Sequence, residues 1–457
     1  MATFALVTLP LSGHIHPMMA AARALVRVGH RAVVLGPVDL VRRLPDDVEA
    51  QPIGERDLPA GALDAQCACL SRMQGAGDLL AMFRAVARLS EFYVTHLPAG
   101  LERLGASAVL HDQLEPGAGL VARGLSRSLG LRHLSLACAL PMNREPSVPP
   151  PFMGWRHREG AFWAWMNGGY YTVVDALLRE QGRVLEAAAQ RFGVCKPARG
   201  PDGAPLQDWQ RAWSVDDGLS RTHDMAQGLA SLDYPRTRPP AYLGPLRDGA
   251  SRYPGLASIA AERDGRPLCF VSLGTLMGAR ADLLGAMARA ATRRGLQPVV
   301  VHGGRLADPG ALPAGTIARP FLDQAAVMAE CEAAIIHGGY NSTTDAAAAG
   351  LPLVVVPVAF EQAAIGARVE RAQLGRRVGR RGPDLAQRIA LSLGDTIHNA
   401  EDRAARRRAR FEALAAPGTD GLVAMAQAAL DGVPAPDPAA APRASDLAPG
   451  LVPLPAE

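Results

Sequence analysis

The chain has 457 residues, 48% of them hydrophobic and 20% charged, which is enough for two or three domains and excludes a single small module. Its 48 Lys and Arg nearly balance 44 Asp and Glu, leaving a formal charge of +4, so electrostatics alone names no nucleic-acid or anionic-membrane partner. Six cysteines, at 67, 69, 138, 195, 269 and 331, lie mostly in apolar surroundings without paired metal-ligand spacing, as small buried hydrophobes of a reducing compartment do.

The N-terminus, Met1-Ala2-Thr3-Phe4, has no basic region before its short apolar run, so it reads as a first strand and not a signal peptide. No apolar run approaches the ~18 residues of a membrane span. The expectation is a soluble cytoplasmic protein, with peripheral membrane association left open. After the strand Phe4 to Leu9 come a Pro/Gly loop, apolar residues at helical spacing through Val28, and a second apolar run from Ala32 to Leu35. That alternation is the unit of a parallel sheet, and it recurs at Ala108 to Leu110, Gly119 to Leu129 and His133 to Ala137. Three of the five tryptophans cluster at Trp155, Trp163 and Trp165, with Phe152, Phe162, Tyr170 and Tyr171. They line an apolar pocket, pack a helix onto the sheet, or form a membrane-facing patch.

Around Tyr234 to Tyr253 the chain turns rich in Pro, Gly and Arg, as a linker does. A fresh α/β pattern begins beyond it, with strands expected at Leu268 to Leu273, Val299 to His302, Ala333 to Ile336 and Leu353 to Val356. The fold class is therefore α/β, with two doubly wound Rossmann-like domains facing across a cleft at the carboxyl ends of their sheets. The expected divisions are a first domain over 1–235, a linker over 236–262, a second domain over 263–415 and a helix over 416–431 whose return to the first domain is left open. A disordered Pro/Ala-rich tail is expected over 432–457. The basic run Arg403, Arg406, Arg407, Arg408, Arg410 reads as a solvated helix face.

The segment Ile336 to Asp345 carries the strongest chemical signal. Gly338 and Gly339 let a backbone approach a ligand, and Asn341 and Ser342 suit a helix N-terminus, whose amides and dipole favour a diphosphate. Downstream, a buried strand delivers Glu361 and Gln362, a carboxylate and an amide suited to vicinal sugar hydroxyls. Ser272, Gly274 and Thr275, after another strand, could supply hydroxyl and amide donors from the opposite side, with His302-Gly303-Gly304 after the next strand at the edge of the same site; the alternative for both is a strand-to-helix turn, and Thr275 ranks first among them. Near the N-terminus, His14 and His16 in Pro10-Leu11-Ser12-Gly13-His14-Ile15-His16-Pro17 are both candidates to take a proton from an attacking hydroxyl. A carboxylate would fix the tautomer of such a base. Asp112, at a predicted strand end, is the first candidate and Glu115 the second. Taken singly, each of these residues has a structural alternative: a turn for the glycines, a satisfied strand-end imidazole for His337, a helix cap for Asp112.

As an ordered set, the run from Phe321-Leu322-Asp323-Gln324 through His337-Gly338-Gly339-Tyr340-Asn341-Ser342 to Glu361-Gln362 resembles the donor signature of UDP-sugar-dependent glycosyltransferases of GT-B type. The resemblance implies that Phe321 stacks on the base, that His337 and the glycine amides meet the diphosphate, that Asp345 holds the ribose, and that Glu361 and Gln362 hold the sugar. Gln324 belongs to the same signature. Phe321 stands where Trp is usual, and Asp345 where Glu is commoner. Gly13-His14-x-x-Pro17 resembles the loop whose His, here His14, is the base, with Asp112 as its partner. His16 stands where Asn is frequent and is assigned a loop hydrogen bond. Within the family, the segments Ala137 to Pro146, Ser272 to Gly278 and Val358 to Gln362 look like the branch that glucosylates carotenoids such as zeaxanthin. The expected reaction is an inverting, metal-independent transfer of glucose from UDP-glucose, with no cofactor, to a hydroxyl of a hydrophobic acceptor lined by Phe152, Trp155 and Trp163. Rival readings are a macrolide, sterol or other lipophilic acceptor, a catalytically silent binding homologue, and a nucleotide-sugar epimerase.

Overall fold

The computed structural model describes residues 1–65, 76–196, 208–247, 251 and 253–435. The first seven strands form one parallel sheet. They are β1 (Thr3–Val7), β2 (Arg31–Gly36), β3 (Ala50–Pro52), β4 (Ala108–Asp112), β5 (Arg132–Ala137), β6 (Asp224–Gln227) and β7 (Ala241–Gly244). They pair in the order β3-β2-β1-β4-β5-β6-β7. The second parallel sheet holds β8 (Leu268–Ser272), β9 (Gln297–Val301), β10 (Ile317–Arg319), β11 (Cys331–Ile336), β12 (Leu353–Val355) and β13 (Gly375–Arg377), ordered β10-β9-β8-β11-β12-β13. Both orders reverse direction once, between β1 and β4 and between β8 and β11. Ligands of open parallel sheets bind at the carboxyl end of that switch point.

The strands read as near-continuous apolar runs because both faces of each sheet are covered. In β1, Phe4 and Leu6 enter one core while Ala5 and Val7 enter the other, the two-residue alternation of a strand. Phe270 and Cys269 divide in the same way in β8.

Three sequence expectations need correction. The proposed linker 236–262 contains β7, which is the edge strand of the first sheet; its Pro/Gly content marks the short turns around an edge strand. The loop Pro10 to Pro17 is largely helix, since Ser12–Arg27 is helical and His14 N–H already donates to Leu11 O at 2.8 Å. The basic run is not wholly solvated, because Arg406 is buried and donates to Thr396 O at 3.0 Å. Cys195 is exposed, whereas Cys138, Cys269 and Cys331 are buried. Cys67, Cys69 and the tail beyond residue 435 lie outside the described residues.

The helix Gly418–Asp431 returns to the first domain, where Leu422, Met425, Ala426 and Ala429 join its core and the helix packs beside Ser12–Arg27 against β5 and β7. The two domains are also joined through Asp233, which follows β6. Its Oδ2 accepts from Arg236 Nε at 2.6 Å and from the Tyr242 hydroxyl at 2.6 Å, while its Oδ1 accepts from Arg368 Nε at 3.0 Å. Arg368 belongs to the second-domain helix Gln362–Arg371 and lies 4.0 Å from the Tyr234 ring centroid. Burial alone would raise the Asp233 carboxyl, but the two guanidiniums outweigh it and hold it well below the usual range.

Candidate functional site

The two switch points face each other. Asp112 ends β4 and is fully buried; its Oδ2 lies 2.6 Å from His14 Nδ1 in the first turn of the helix after β1. Its Oδ1 accepts from Leu114 N–H at 3.0 Å, so both carboxylate oxygens are fixed. With Nδ1–H donated to the carboxylate, the lone pair of His14 is on Nε2. Burial opposes charging the ring, but the Asp112 charge, its hydrogen bond and the Glu361 carboxylate prevail and raise the His14 pKa above 6.5. Glu115 does not share this role. Its side chain caps the next helix by accepting from Gly117 N–H at 3.1 Å, and burial pushes its pKa to about 8.

Pro17 lies inside the first helix. Having no N–H, it leaves the carbonyl four residues earlier without a helical partner. That carbonyl is Gly13 O, and it accepts from Asn341 Nδ2 of the second domain at 2.9 Å. The side chain of Asn341, expected on the donor, thus ties the base-bearing helix across the cleft. Gln227 at the end of β6 holds the same amide from the other side, and its Nε2 also donates to Cys138 O at 2.6 Å.

On the second domain, β11 runs into His337 and the helix Tyr340–Ala349 opens at Gly339 with no side-chain cap, leaving its first amides toward the cleft. The His337 ring is packed between two glycines. A Cβ on Gly339 would sit 2.6 Å from its Nε2, and one on Gly274, already at φ +72°, 2.8 Å from it. Burial, little offset by a 3.4 Å contact between Nδ1 and Ser272 O, lowers the His337 pKa to about 4, so this imidazole is neutral at ordinary pH. Thr275 lines a cleft cavity of about 370 Å3 together with Ser12, His16, Gly303, Tyr253 and Phe321. Phe321 stacks on Tyr253 with centroids 5.2 Å apart and planes 14° apart, and Tyr253 meets His16 edge-on at 6.0 Å.

Several residues predicted to contact the donor also have protein partners. The Ser272 hydroxyl donates to Val301 O at 2.9 Å and accepts from Gly274 N–H at 3.1 Å, closing the turn after β8. Gln324 Nε2 donates to Asp345 Oδ2 at 2.6 Å, and Gln324 Oε1 accepts from the Ser342 hydroxyl at 2.9 Å. Asp345 is also ion-paired with Arg247. Gln362 Oε1 accepts from the Val358 and Ala359 amides at 2.7 and 2.9 Å; a Cβ on Gly338, at φ +91°, would come within 3.0 Å of its carbonyl. Glu361 follows Phe360, whose φ of +55° is unusual for an aromatic residue. Burial raises the Glu361 pKa and His14 opposes the shift, which places the carboxylate within the field of the base.

The three proposed acceptor residues have different surroundings. Phe152 lines one of about 40 Å3 with Tyr171, Val174 and Leu178, well short of the roughly 300 Å3 or more of a small-molecule site. Trp155 packs edge-on against Tyr170 at 4.2 Å, and its carbonyl accepts from the Tyr234 hydroxyl at 3.0 Å. Trp163 meets Phe162 at 5.2 Å and lies under the Arg158 guanidinium. Gln227, Arg247 and Tyr253 carry no motif, and only the three-dimensional arrangement brings them to the site.

Among the described residues, one His/Cys/acid group lies close enough to share an ion: His14, Asp112 and Cys138, with ligand atoms within 4.8 Å of one another. Burial and the neighbouring Asp112 charge raise the Cys138 thiol well above its usual range, so it is a protonated neighbour of the pair and a poor soft ligand.

No protein-family profile matches the chain. It is 34% identical over 405 residues to a zeaxanthin glucosyltransferase of Pseudescherichia vulneris, covering 87% of this chain and 92% of that protein. It is 29% identical over 394 residues to a zeaxanthin glucosyltransferase of Pantoea ananas, covering 83% and 85%. In fold it matches the crystal structure of the kitacinnamycin glycosyltransferase with a TM-score of 0.68 at 17% identity, over 94% of this chain and 99% of that one.

Proposed function

This chain belongs to the family 1 glycosyltransferases of GT-B fold, in the company of the zeaxanthin glucosyltransferases, and on that premise we propose that it moves glucose from UDP-glucose to a hydroxyl of a carotenoid-like acceptor with inversion. The supporting observation is the 2.6 Å pair of His14 Nδ1 and Asp112 Oδ2 at one switch point, facing the glycine-bounded His337 of the other.

His14 Nε2 takes the proton of the acceptor hydroxyl as its oxygen attacks the anomeric carbon. The bond to the diphosphate oxygen breaks in the same displacement, so the configuration inverts. Asp112 stabilises the imidazolium as it forms. On the opposite side, the amides opening at Gly339, with His337, Ser342 and Thr275, receive the negative charge of the departing diphosphate. Phe321 supplies a stacking face for the base. Asp345 is the acid for the ribose, which must then compete with Arg247. Glu361 holds the sugar between diphosphate and base, and Gln362 shapes the loop that presents it. The leaving-group charge has these protein donors to meet it, so the reading calls for neither metal nor cofactor.

The test is product stereochemistry. Purified protein given UDP-glucose and zeaxanthin should yield a β-glucoside, read from the anomeric proton coupling. An α-glucoside would overturn inversion, and glucose release without acceptor would overturn transfer. Competition between UDP-glucose and dTDP-glucose tests the nucleotide separately.

A further inference from the structure

Five of the thirteen large hydrophobic side chains exposed among the described residues fall between 152 and 177: Phe152, Phe162, Trp165, Val173 and Leu177. Four of them belong to the helix Ala161–Leu177. Spacings of three, eight and four residues put those four on one stripe at 3.6 residues per turn. Trp165 is 71% exposed and Phe162 59%, with their rings 6.1 Å apart. The opposite face is held firmly. Asn167 donates to Pro146 O at 2.8 Å, the Tyr171 hydroxyl donates to Val148 O at 2.9 Å, and Val174 is buried. The one charged residue of the helix, Asp175, is ion-paired with Arg144. The helix therefore offers solvent an apolar face carrying no charge, which a helix kept only for structure has no need to do.

We propose that this stripe seats the enzyme on a lipid surface, with the helix lying in the plane of the interface. Two observations favour lipid over a second copy of the chain. A 17-residue helix is about 25 Å long, and a stripe about 10 Å wide covers roughly 250 Å2, far below the ~800 Å2 per partner of a stable protein interface. An interfacial helix requires no more than this, with Trp and Phe at the headgroup boundary. The charges bracketing the stripe are also predominantly basic. Arg156 and Arg158 precede it and Arg179 follows it, against Glu159 and Glu180, and Glu180 is met by Arg84 at 3.5 Å. Such a rim complements anionic headgroups. Phe152 is both exposed and part of the lining of the apolar cavity on the inner side of the helix, so the docked face adjoins the acceptor domain's interior. The benefit to catalysis rests on the proposed hydrophobic acceptor, whereas the docking itself does not.

The experiment is flotation of the full chain with vesicles of phosphatidylcholine containing a quarter phosphatidylglycerol, without donor or acceptor, so that its outcome is independent of the reaction. The wild-type chain should float with the vesicles, more weakly with pure phosphatidylcholine. The double variant Phe162→Glu/Trp165→Glu should lose about tenfold or more in partitioning, while Leu414→Glu, which alters a 75% exposed leucine elsewhere, should not. Equal melting temperatures for the three proteins show that folding is not the cause. The single variant Val173→Lys, lower on the same stripe, should show an intermediate loss. A wild-type chain that stays in the aqueous fraction overturns the proposal, as does a double variant that floats equally well. So does a concentration-dependent dimer in light scattering that the double variant dissolves.

Discussion

Replacing Asp112 with Asn keeps the shape of the pair with His14 and removes its charge. In the wild type the carboxylate lies 2.6 Å from His14 Nδ1 and is fully buried. A unit charge pair about 4 Å apart between centres is worth about 4 kcal/mol at an effective dielectric of 20. The imidazolium is only partly formed in the transition state, so half to all of that is lost, and kcat falls between about 30-fold and about 10³-fold. The pH profile moves as well, and its sign is fixed. His14 acts as a neutral base, so activity is lost as pH falls through its pKa, which Asp112 and Glu361 hold above the ordinary 6.5 against burial. Without the Asp112 charge, burial prevails and the acid limb moves to lower pH while the plateau drops. The assay is initial-rate product formation across the pH range with saturating donor. A plateau within about threefold of wild type, or an acid limb displaced upward, would rule out charge stabilisation of His14 by Asp112.

Gly339→Ala retains permitted backbone angles (φ −65°, ψ 139°) but places a methyl 2.6 Å from His337 Nε2. The donor KM should rise about tenfold or more, and unchanged calorimetric affinity for UDP would contradict the assignment of His337. Asp233→Ala leaves Arg236 and Arg368, each almost wholly buried, without their carboxylate. Urea unfolding should show a loss of about 3–5 kcal/mol, and a loss below about 1 kcal/mol would mean the two-domain joint is held by other contacts. Glu115, with a pKa pushed up to about 8, retains in the folded state a proton that the unfolded chain gives up near the usual ~4.3. Its contribution to stability is therefore full at low pH and is lost as pH rises through about 8. Glu115→Gln should flatten the change in unfolding free energy between pH 5 and pH 8.5 by roughly 2–4 kcal/mol, and an unaltered slope would contradict a neutral buried Glu115.

Much of the fold is legible in the sequence because apolar runs of four to six residues alternate with helical spacing, and both sheets bury such runs on two faces. Edge strand β7 was hidden by the turn residues around it. At the site, the residues by themselves leave His14 beside His16 and Asp112 beside Glu115; the resemblance to the family's ordered set is what selects His14, Asp112, His337 and Glu361. The partners of Ser272, Gln324, Asn341 and Gln362 are not legible, because an amide or hydroxyl can turn toward ligand or backbone with equal chemistry. Asn341 binds Gly13 O for a reason visible only in retrospect: Pro17 leaves that carbonyl open. The aromatic cluster shows the same limit. Composition marks Phe152, Trp155 and Trp163 as one group, but helix phase sends Phe162 and Trp165 outward while Trp155 packs on Tyr170.

Catalysis on this reading turns on activation of the acceptor hydroxyl by His14. Its most direct test compares the wild-type chain with His14→Ala in turnover of UDP-glucose and zeaxanthin. The wild type should form the glucoside and the variant should fall roughly 10³-fold or more, with calorimetric UDP affinity unchanged. Undiminished transfer by His14→Ala would contradict this role of His14.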